Sequence, residues 1–320
     1  MLYRKFGRTG LYVSVLGFGC GRVGGLLLSG SKADRKLAVR RALDGGVNWF
    51  DTAEAYGTEE ALGQLLAEVS ETPHVSTKVT LDPTAADLAG QVEEKAHEGL
   101  KRLRRDQVTV MQVHNRIDDG GGGNSLSAEQ MLKAGGVAEG LERLKRKGAA
   151  RFIGFTGLGD TTTIVQVIDS GRFDSVQVYY NIVNPSAARP MPSGWNGQRL
   201  TGVVDAAHRQ TMGMLGIRVL DGGILATDLR DKPVSMMVKQ TSEETEQRKG
   251  AAALAALGPG LGSRAQIGLR FALSCPHLGL ALIGVGEPAH IDAALAAVEM
   301  GPLPLETLAR LEPLYERDFA

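Results

Sequence analysis

Cysteine is nearly missing from this chain: 320 residues carry two, Cys20 and Cys275. A disulfide scaffold is excluded, and two free thiols in a reducing compartment are the plain reading. No sign of charge dominates either. Lys plus Arg total 36 and Asp plus Glu total 36, a formal net charge of zero. That excludes the basic excess of a nucleic-acid protein, while leaving room for a local patch that holds a phosphorylated ligand. No run approaches the ~18 apolar residues of a membrane span. The opening Met1-Leu2-Tyr3-Arg4-Lys5-Phe6 has charge but no apolar signal core after it. No His-x-His pair or Cys/His cluster with metal-ligand spacing occurs. The expectation is a cytoplasmic protein with no metal, nucleic acid or membrane among its partners. Oligomeric state cannot be read from the sequence.

What the chain does have is rhythm. Apolar residues make up 43%, enough for a large core. Tyr3–Phe6 and Leu11–Ser14 read as a small hairpin around Gly7-Arg8-Thr9-Gly10, followed by a buried strand from Val15. Helical patterns over Lys32–Asp44, Glu59–Val69, Ala86–Arg104, Val137–Lys147 and Thr161–Ser170 then alternate with β-rich runs at Asn48–Asp51, Val75–Val79, Val108–Val113, Phe152–Thr156 and Ser175–Val178. A helix near Gln198–Gln210, a strand near Met214–Leu220, a helix near Ala265–Leu273, a strand near Leu280–Ile283 and a helix near Ile291–Ala297 continue the series. Alternation implies a parallel sheet. About eight units imply a closed (β/α)8 barrel over residues 1–320 as one domain, with its site at the C-terminal strand ends; a doubly wound open sheet is the alternative. Two stretches break the rhythm, near 116–136 and 231–262, and read either as tolerated surface insertions or as a lid or substrate-selecting loops.

The stretch Gly46-Val47-Asn48-Trp49-Phe50-Asp51-Thr52-Ala53-Glu54-Ala55-Tyr56-Gly57 organises the chemistry. Asp51 ends an apolar strand, where an ionised carboxylate needs a cation or several donors. Lys78 ends the next strand and His114 the one after that, so neighbouring parallel strands would bring the three together with Tyr56. Each alone has a bland reading: a rim lysine, a structural histidine. Together they describe an acid–base device. An ammonium lowers the phenol pKa from about 10, a carboxylate holds the ammonium, and a histidine orients and polarises a carbonyl oxygen.

The motifs Gly46–Gly57, Glu60-Ala61-Leu62-Gly63, Ser76-Thr77-Lys78 and the strand ending at His114 resemble those of the aldo-keto reductases, and the resemblance covers nearly the whole chain. It implies a barrel closed below by an N-terminal hairpin. It also implies hydride transfer between a nicotinamide cofactor and a carbonyl or alcohol. Tyr56 would exchange the proton, Lys78 would tune it, Asp51 would anchor Lys78 and contact the cofactor site, and His114 would orient the substrate.

For the cofactor, the resemblance implies Gly19, Cys20 and Gly21 beside the site and Gln177 on the nicotinamide carboxamide. Thr156-Gly157 stands where the family often has Ser-Asn; Thr156 keeps the hydroxyl and Gly157 loses the amide. The Gly154-Phe155-Thr156-Gly157-Leu158 pattern is similar to the L-galactose, L-fucose and aldose 1-dehydrogenase branch. Leu220 and Gly222, within Leu220-Asp221-Gly222-Gly223, replace the family's Ser-Pro-Leu-x-x-Gly. Ile283, Gly284, Val285, Gly286, Glu287 and His290 align with the adenosine-phosphate site. Apolar Val285 and His290 stand where NADP-preferring members carry basic residues, and Glu287 adds a negative charge, so the reading leans to NAD(H) over NADP(H) unless Arg22, Arg264 or Arg270 supplies the charge. Two other functions compete. One is a non-catalytic nicotinamide-nucleotide-sensing regulatory subunit. The other is a barrel enzyme with Lys78 as Schiff-base nucleophile, which a paired Asp51 disfavours by keeping the lysine charged. Trp49, Tyr180 and Trp195 are candidates for shaping the pocket, with core packing the reading for Trp49.

Overall fold

Eight parallel strands close into a barrel in the computed structural model, which describes residues 1–227 and 241–320. A two-stranded hairpin comes first, β1 (Tyr3–Lys5) and β2 (Tyr12–Ser14), joined by a 3-10 turn over Gly7–Thr9. The barrel strands are β3 (Leu16–Gly19), β4 (Trp49–Asp51), β5 (His74–Val79) and β6 (Val108–Val113). After a short ribbon, β7 (Arg116–Ile117) with β8 (Ser125–Leu126), come β9 (Ala150–Gly157), β10 (Ser175–Tyr179), β11 (Gly213–Ile217) and β12 (Leu280–Gly284). They pair in chain order, and β12 returns to β3. The expected (β/α)8 architecture stands, and the open-sheet alternative falls.

The two-residue period of each strand sorts side chains between interior and exterior. On β4, Trp49 and Asp51 face inward, while Phe50 stacks outside on Phe18 at 5.2 Å between ring centroids, beneath the helices. Cross-strand registers carry the interior rows round the barrel: Asp51 opposite Ser76, Lys78 opposite Gln112, Gln112 opposite Gly154, Thr156 opposite Gln177. Outside, the helix Leu88–Leu103 buries Leu88, Val92, Ala96, Leu100 and Leu103, one face of its 3.6-residue period. Its first turn is capped by the Asp87 side chain, and it stops at Arg104, whose φ of 55° is left-handed.

The hairpin closes the N-terminal end. Phe6 packs on Trp49 at 4.9 Å, with Val110, Leu215 and Leu280 around it. Gly213 leaves the room: a Cβ there would meet the Phe6 ring at 2.4 Å. Arg4 ties the plug to the wall, donating to the carbonyls of Leu273, Cys275 and Leu278 at 2.8–3.0 Å. Leu273 ends the helix Arg264–Leu273, where a cation is favoured, and Cys275 and Leu278 follow it.

Several boundaries differ from the sequence reading: the helix expected to run to Val69 ends at Leu66, that expected near Ile291–Ala297 spans Pro288–Met300, and two others shift at left-handed residues. The helix expected from Gln198 starts at Val203, because Gly202 adopts a left-handed conformation at φ 91°. The strand expected to run to Leu220 ends at Ile217, because Arg218 also turns left-handed at φ 55°. The insertion near 116–136 becomes the β7–β8 ribbon and a helix over Ala128–Leu132, stitched to the segment just after β9 by hydrogen bonds from Ile117 N to Leu158 O at 2.7 Å and Asp160 N to Ile117 O at 2.9 Å. Of the second insertion, 231–240 lies outside the described residues; the rest holds a helix at Glu243–Leu257.

Candidate active site

The C-terminal strand ends bring Asp51, Lys78, Tyr56 and His114 together. Lys78 is fully buried and Asp51 is 4% exposed. An ammonium has three protons, and each is placed: on Asp51 Oδ2 at 2.6 Å, on the Thr52 carbonyl at 2.8 Å and on the Tyr56 hydroxyl at 3.4 Å. The other Asp51 oxygen accepts from Ser76 Oγ at 2.6 Å and Gln177 Nε2 at 2.9 Å, and Ser76 Oγ in turn accepts from Trp49 Nε1 at 2.9 Å. Asp51 thus has both the cation and the donors that burial demands. His114, just past β6, has its backbone held by the Val79 carbonyl at 2.8 Å, and its ring meets Tyr56 edge-on at 5.3 Å.

Local structure sets the Tyr56 position. After β4 the chain makes a 3-10 turn over Glu54–Tyr56 that ends on left-handed Gly57. Thr52 and Thr58 join their hydroxyls across the base of this loop at 2.8 Å. Glu54 ties its crown to Lys95 at 2.9 Å and to the Thr80 amide at 3.3 Å.

Electrostatics divides the group. Burial pulls the Lys78 ammonium down, but Asp51 and Tyr56 outweigh it and the net shift is upward, so the lysine stays charged. Burial and the Lys78 charge hold His114 down to about 3, so it is neutral. For Tyr56 the sequence reading, a phenol lowered by its lysine, is corrected. Burial pushes it up more than Lys78 pulls it down, and the net shift is upward. The sequence shows the ammonium but not the depth at which the phenol sits.

The residues expected at the cofactor are spread round the same rim. Gly21 lies against the Tyr56 ring. Cys20 is buried, its amide on the Asp51 carbonyl at 2.8 Å and its thiol pushed up by burial, which leaves its backbone as the usable part. Thr156 is 1% exposed with its hydroxyl unpartnered, beside Gln177 in the register, an arrangement that fits an amide ligand. Gly157 backs onto the Gln177 carbonyl. Leu220 and Gly222, the latter at φ 70°, form a tight turn past β11. Ile283 and Val285 are buried, and the Gly24 backbone packs so closely on Val285 that a Cβ would sit 2.5 Å away. Gly286 donates to His290 Nδ1 at 3.1 Å, and His290 lies 3.7 Å from Glu287, the residue just before the helix Pro288–Met300. Arg270 is not the spare cation considered above: it donates to the carbonyls of Leu261, Gly301 and Pro302. Trp49 is core. Tyr180 stacks on Phe271, and Trp195 lies under Lys249 and against Phe319.

Three residues escape the sequence reading. Ser76 holds Asp51; its interior position two before Lys78 was the available signal. Gln112 is fully buried beside Lys78 in the register, with neither amide atom partnered; it lies two before His114. Arg218, past β11, is the third.

A parallel barrel with a phenol, an ammonium and an imidazole gathered at its mouth is the frame of a barrel oxidoreductase. The aldo/keto reductase family model matches residues 15–316, and the chain belongs to that family. It is accordingly an NAD(P)(H)-dependent oxidoreductase of carbonyl and alcohol groups. The chain is 26% identical to L-galactose dehydrogenase of Arabidopsis thaliana over 98% of its own length and 94% of that protein. Its fold is similar to an aldo-keto reductase of Bacillus halodurans in its holo form, with TM-score 0.74 and 18% identity over the whole of both chains. It is also similar to an aldo-keto reductase of Klebsiella pneumoniae in complex with NADPH, with TM-score 0.67, 22% identity and coverage of 99% and 96%. Among the described residues no helix is long and apolar enough to cross a membrane, and no group of three or more candidate metal ligands occurs.

Proposed function

We propose that Tyr56 is the proton donor and acceptor of this oxidoreductase, with Lys78 and Asp51 setting its charge balance and His114 orienting the reacting oxygen. The observation that carries this reading is the division of the Lys78 protons, one of them to the Tyr56 hydroxyl. In reduction, the carbonyl carbon accepts a hydride and its oxygen takes the Tyr56 proton, giving the alcohol. The developing phenolate is held by the Lys78 ammonium, which Asp51 keeps in place. Neutral His114 can donate one hydrogen bond to the carbonyl oxygen, stronger as negative charge gathers there. Oxidation reverses every transfer. A bound nicotinamide supplies or accepts the hydride; Thr156 and Gln177 would hold its carboxamide, and the turns after β11 and β12 its phosphates and adenosine.

The substrate class follows the dehydrogenase branch: a sugar or a small aldehyde. The Gly154–Leu158 pattern supports this, as does the similarity to a plant L-galactose dehydrogenase over nearly both full lengths. NAD(H) is the proposed cofactor, because Val285 is apolar and buried and His290 is engaged with Gly286. A reducing, cytoplasmic setting suits two buried free thiols.

A panel of aldoses and simple aldehydes, with both cofactors and followed at the nicotinamide absorbance, tests the reading. Turnover of aldoses with NAD is expected. Tight dinucleotide binding with no turnover across the panel would instead point to the nucleotide-sensing subunit. An NADP dissociation constant tenfold below that of NAD, a gap of about 1.4 kcal/mol, would overturn the cofactor preference.

A further inference from the structure

Arg218 stands directly after β11, on the same rim as Tyr56 and Gln177. Its backbone is left-handed at φ 55°, and Asp221 in the same turn is left-handed at φ 44°. Side chains larger than glycine rarely adopt this conformation, and where they do the surroundings enforce it, often at functional sites. Here the enforcement is visible. The Arg218 carbonyl accepts from the side chain of fully buried Asn181 at 3.0 Å and from the Asp221 amide at 2.8 Å, and the Ile217 carbonyl accepts from the Tyr180 amide at 3.2 Å. The chain is pinned on both sides of a strained arginine.

The guanidinium so placed is partly buried and has no hydrogen-bonding or acidic partner among the described residues. Several other arginines are committed: Arg4 and Arg270 each bind three carbonyls, Arg199 binds those of Met191, Pro192, Ser193 and Trp195, and Arg189 grips both oxygens of Glu312. Its charge reaches the reacting group, since it helps to draw the Tyr56 phenol downward against burial. In the barrel order β11 lies between β10, which carries Gln177, and β12, which leads to Gly284–His290. A ligand spanning those two strands crosses β11.

We propose that Arg218 is an oxyanion-binding residue at the rim of the active site, taking either a phosphate of the dinucleotide or an acidic group carried by the substrate. A planar guanidinium offers two parallel donors to either. The inference rests on the oxidoreductase reading for its ligands.

Arg218→Gln, Arg218→Lys and Arg218→Gly are compared with the unaltered protein by calorimetric titration with inorganic pyrophosphate, NADH and NADPH. Steady-state kinetics then compare glyoxylate with glycolaldehyde, an anionic and a neutral aldehyde of similar size. Glycine accepts φ 55° without strain, so Arg218→Gly guards against a folding artefact. If the source is the cofactor, pyrophosphate and dinucleotide binding weaken about tenfold or more in the Gln and Gly variants, with Lys between. If it is the substrate, dinucleotide binding holds and KM rises for glyoxylate but not glycolaldehyde. Affinities and KM values within twofold in both the Gln and Gly variants would overturn the proposal. Arg218-dependent pyrophosphate binding in a protein that turns over no substrate would support the subsite while removing the oxidoreductase reading.

Discussion

At the scale of single residues, Tyr56 and His114 carry opposite demands. Tyr56 must change protonation during the reaction, whereas His114 must not. Removing the phenol oxygen should therefore lower turnover by at least ~100-fold, the low end for an acid–base group, and leave dinucleotide titration unchanged. Near-normal turnover of Tyr56→Phe would sink the assignment. The raised phenol also sets the pH dependence. Oxidation needs the phenolate, so with chemistry rate-limiting its rate should climb about tenfold per pH unit through neutrality and beyond the ordinary tyrosine value of about 10. Reduction needs the phenol and should stay flat until the alkaline region. An oxidation rate independent of pH between 6 and 9, on the order of the window accessible to assay, would contradict this. His114 makes a separate stability prediction. Its folded value of about 3 lies below the ~6.5 of an unfolded histidine, so only the unfolded chain takes up the proton between them. Its contribution is intact above the unfolded value and is lost as pH falls toward the folded one. His114→Phe should flatten that acid limb in urea titrations; an unchanged limb would count against it.

The elements around the Tyr56 loop hold it by polar clamps that hydrophobic periodicity does not reveal. Glu59 opens the helix Glu59–Leu66, is 2% exposed, and joins Thr77 on β5 to Arg102 on the helix Leu88–Leu103, with Arg102 Nε at 2.6 Å. The two partners differ: Arg102 is 37% exposed at its side chain, Glu59 is buried. Losing Arg102 strands a buried carboxylate, whereas Glu59→Gln keeps an acceptor for Thr77 and leaves Arg102 to water. Arg102→Met should therefore destabilise the more of the two, by about 1–3 kcal/mol, read from urea midpoints. The reverse order would show that the clamp matters as packing rather than charge. The helix series was legible because faces such as Leu88–Leu103 repeat every 3.6 residues. Val203 and Ile217 as boundaries were not, because each depends on one left-handed residue: Gly202 before the helix, and Arg218 after the strand, the latter held by Asn181, 37 residues away in sequence.

Across the whole molecule, stability and chemistry sit at opposite ends of the barrel. The floor is apolar, with Phe6 on Trp49; the mouth is polar, with Asp51, Lys78 and Tyr56. Trp49 links the two through Ser76 to Asp51. Phe6→Ala opens the floor and should cost about 3–5 kcal/mol, seen as a large fall in melting temperature. Below that temperature kcat should be unchanged, since no hydrogen bond of the Asp51–Lys78 group passes through Phe6. A fall in kcat comparable to that of Tyr56→Phe would mean that the floor controls the mouth through Trp49.

The sequence by itself determined the strand–helix alternation, the residues that end three successive strands, and their meeting in a barrel. These follow from local periodicity and chain order, and parallel neighbours place strand ends side by side. It also carried the demand that a buried Asp51 be paired. Only the tertiary structure decided how that demand is met, because Ser76 and Gln177 reach Asp51 across 25 and 126 residues of chain. It also reversed the direction of the Tyr56 shift, since desolvation depends on everything that packs around the phenol. And it set Arg218 on the rim, because a left-handed turn pinned by Asn181 exists only once β10 and β11 lie together.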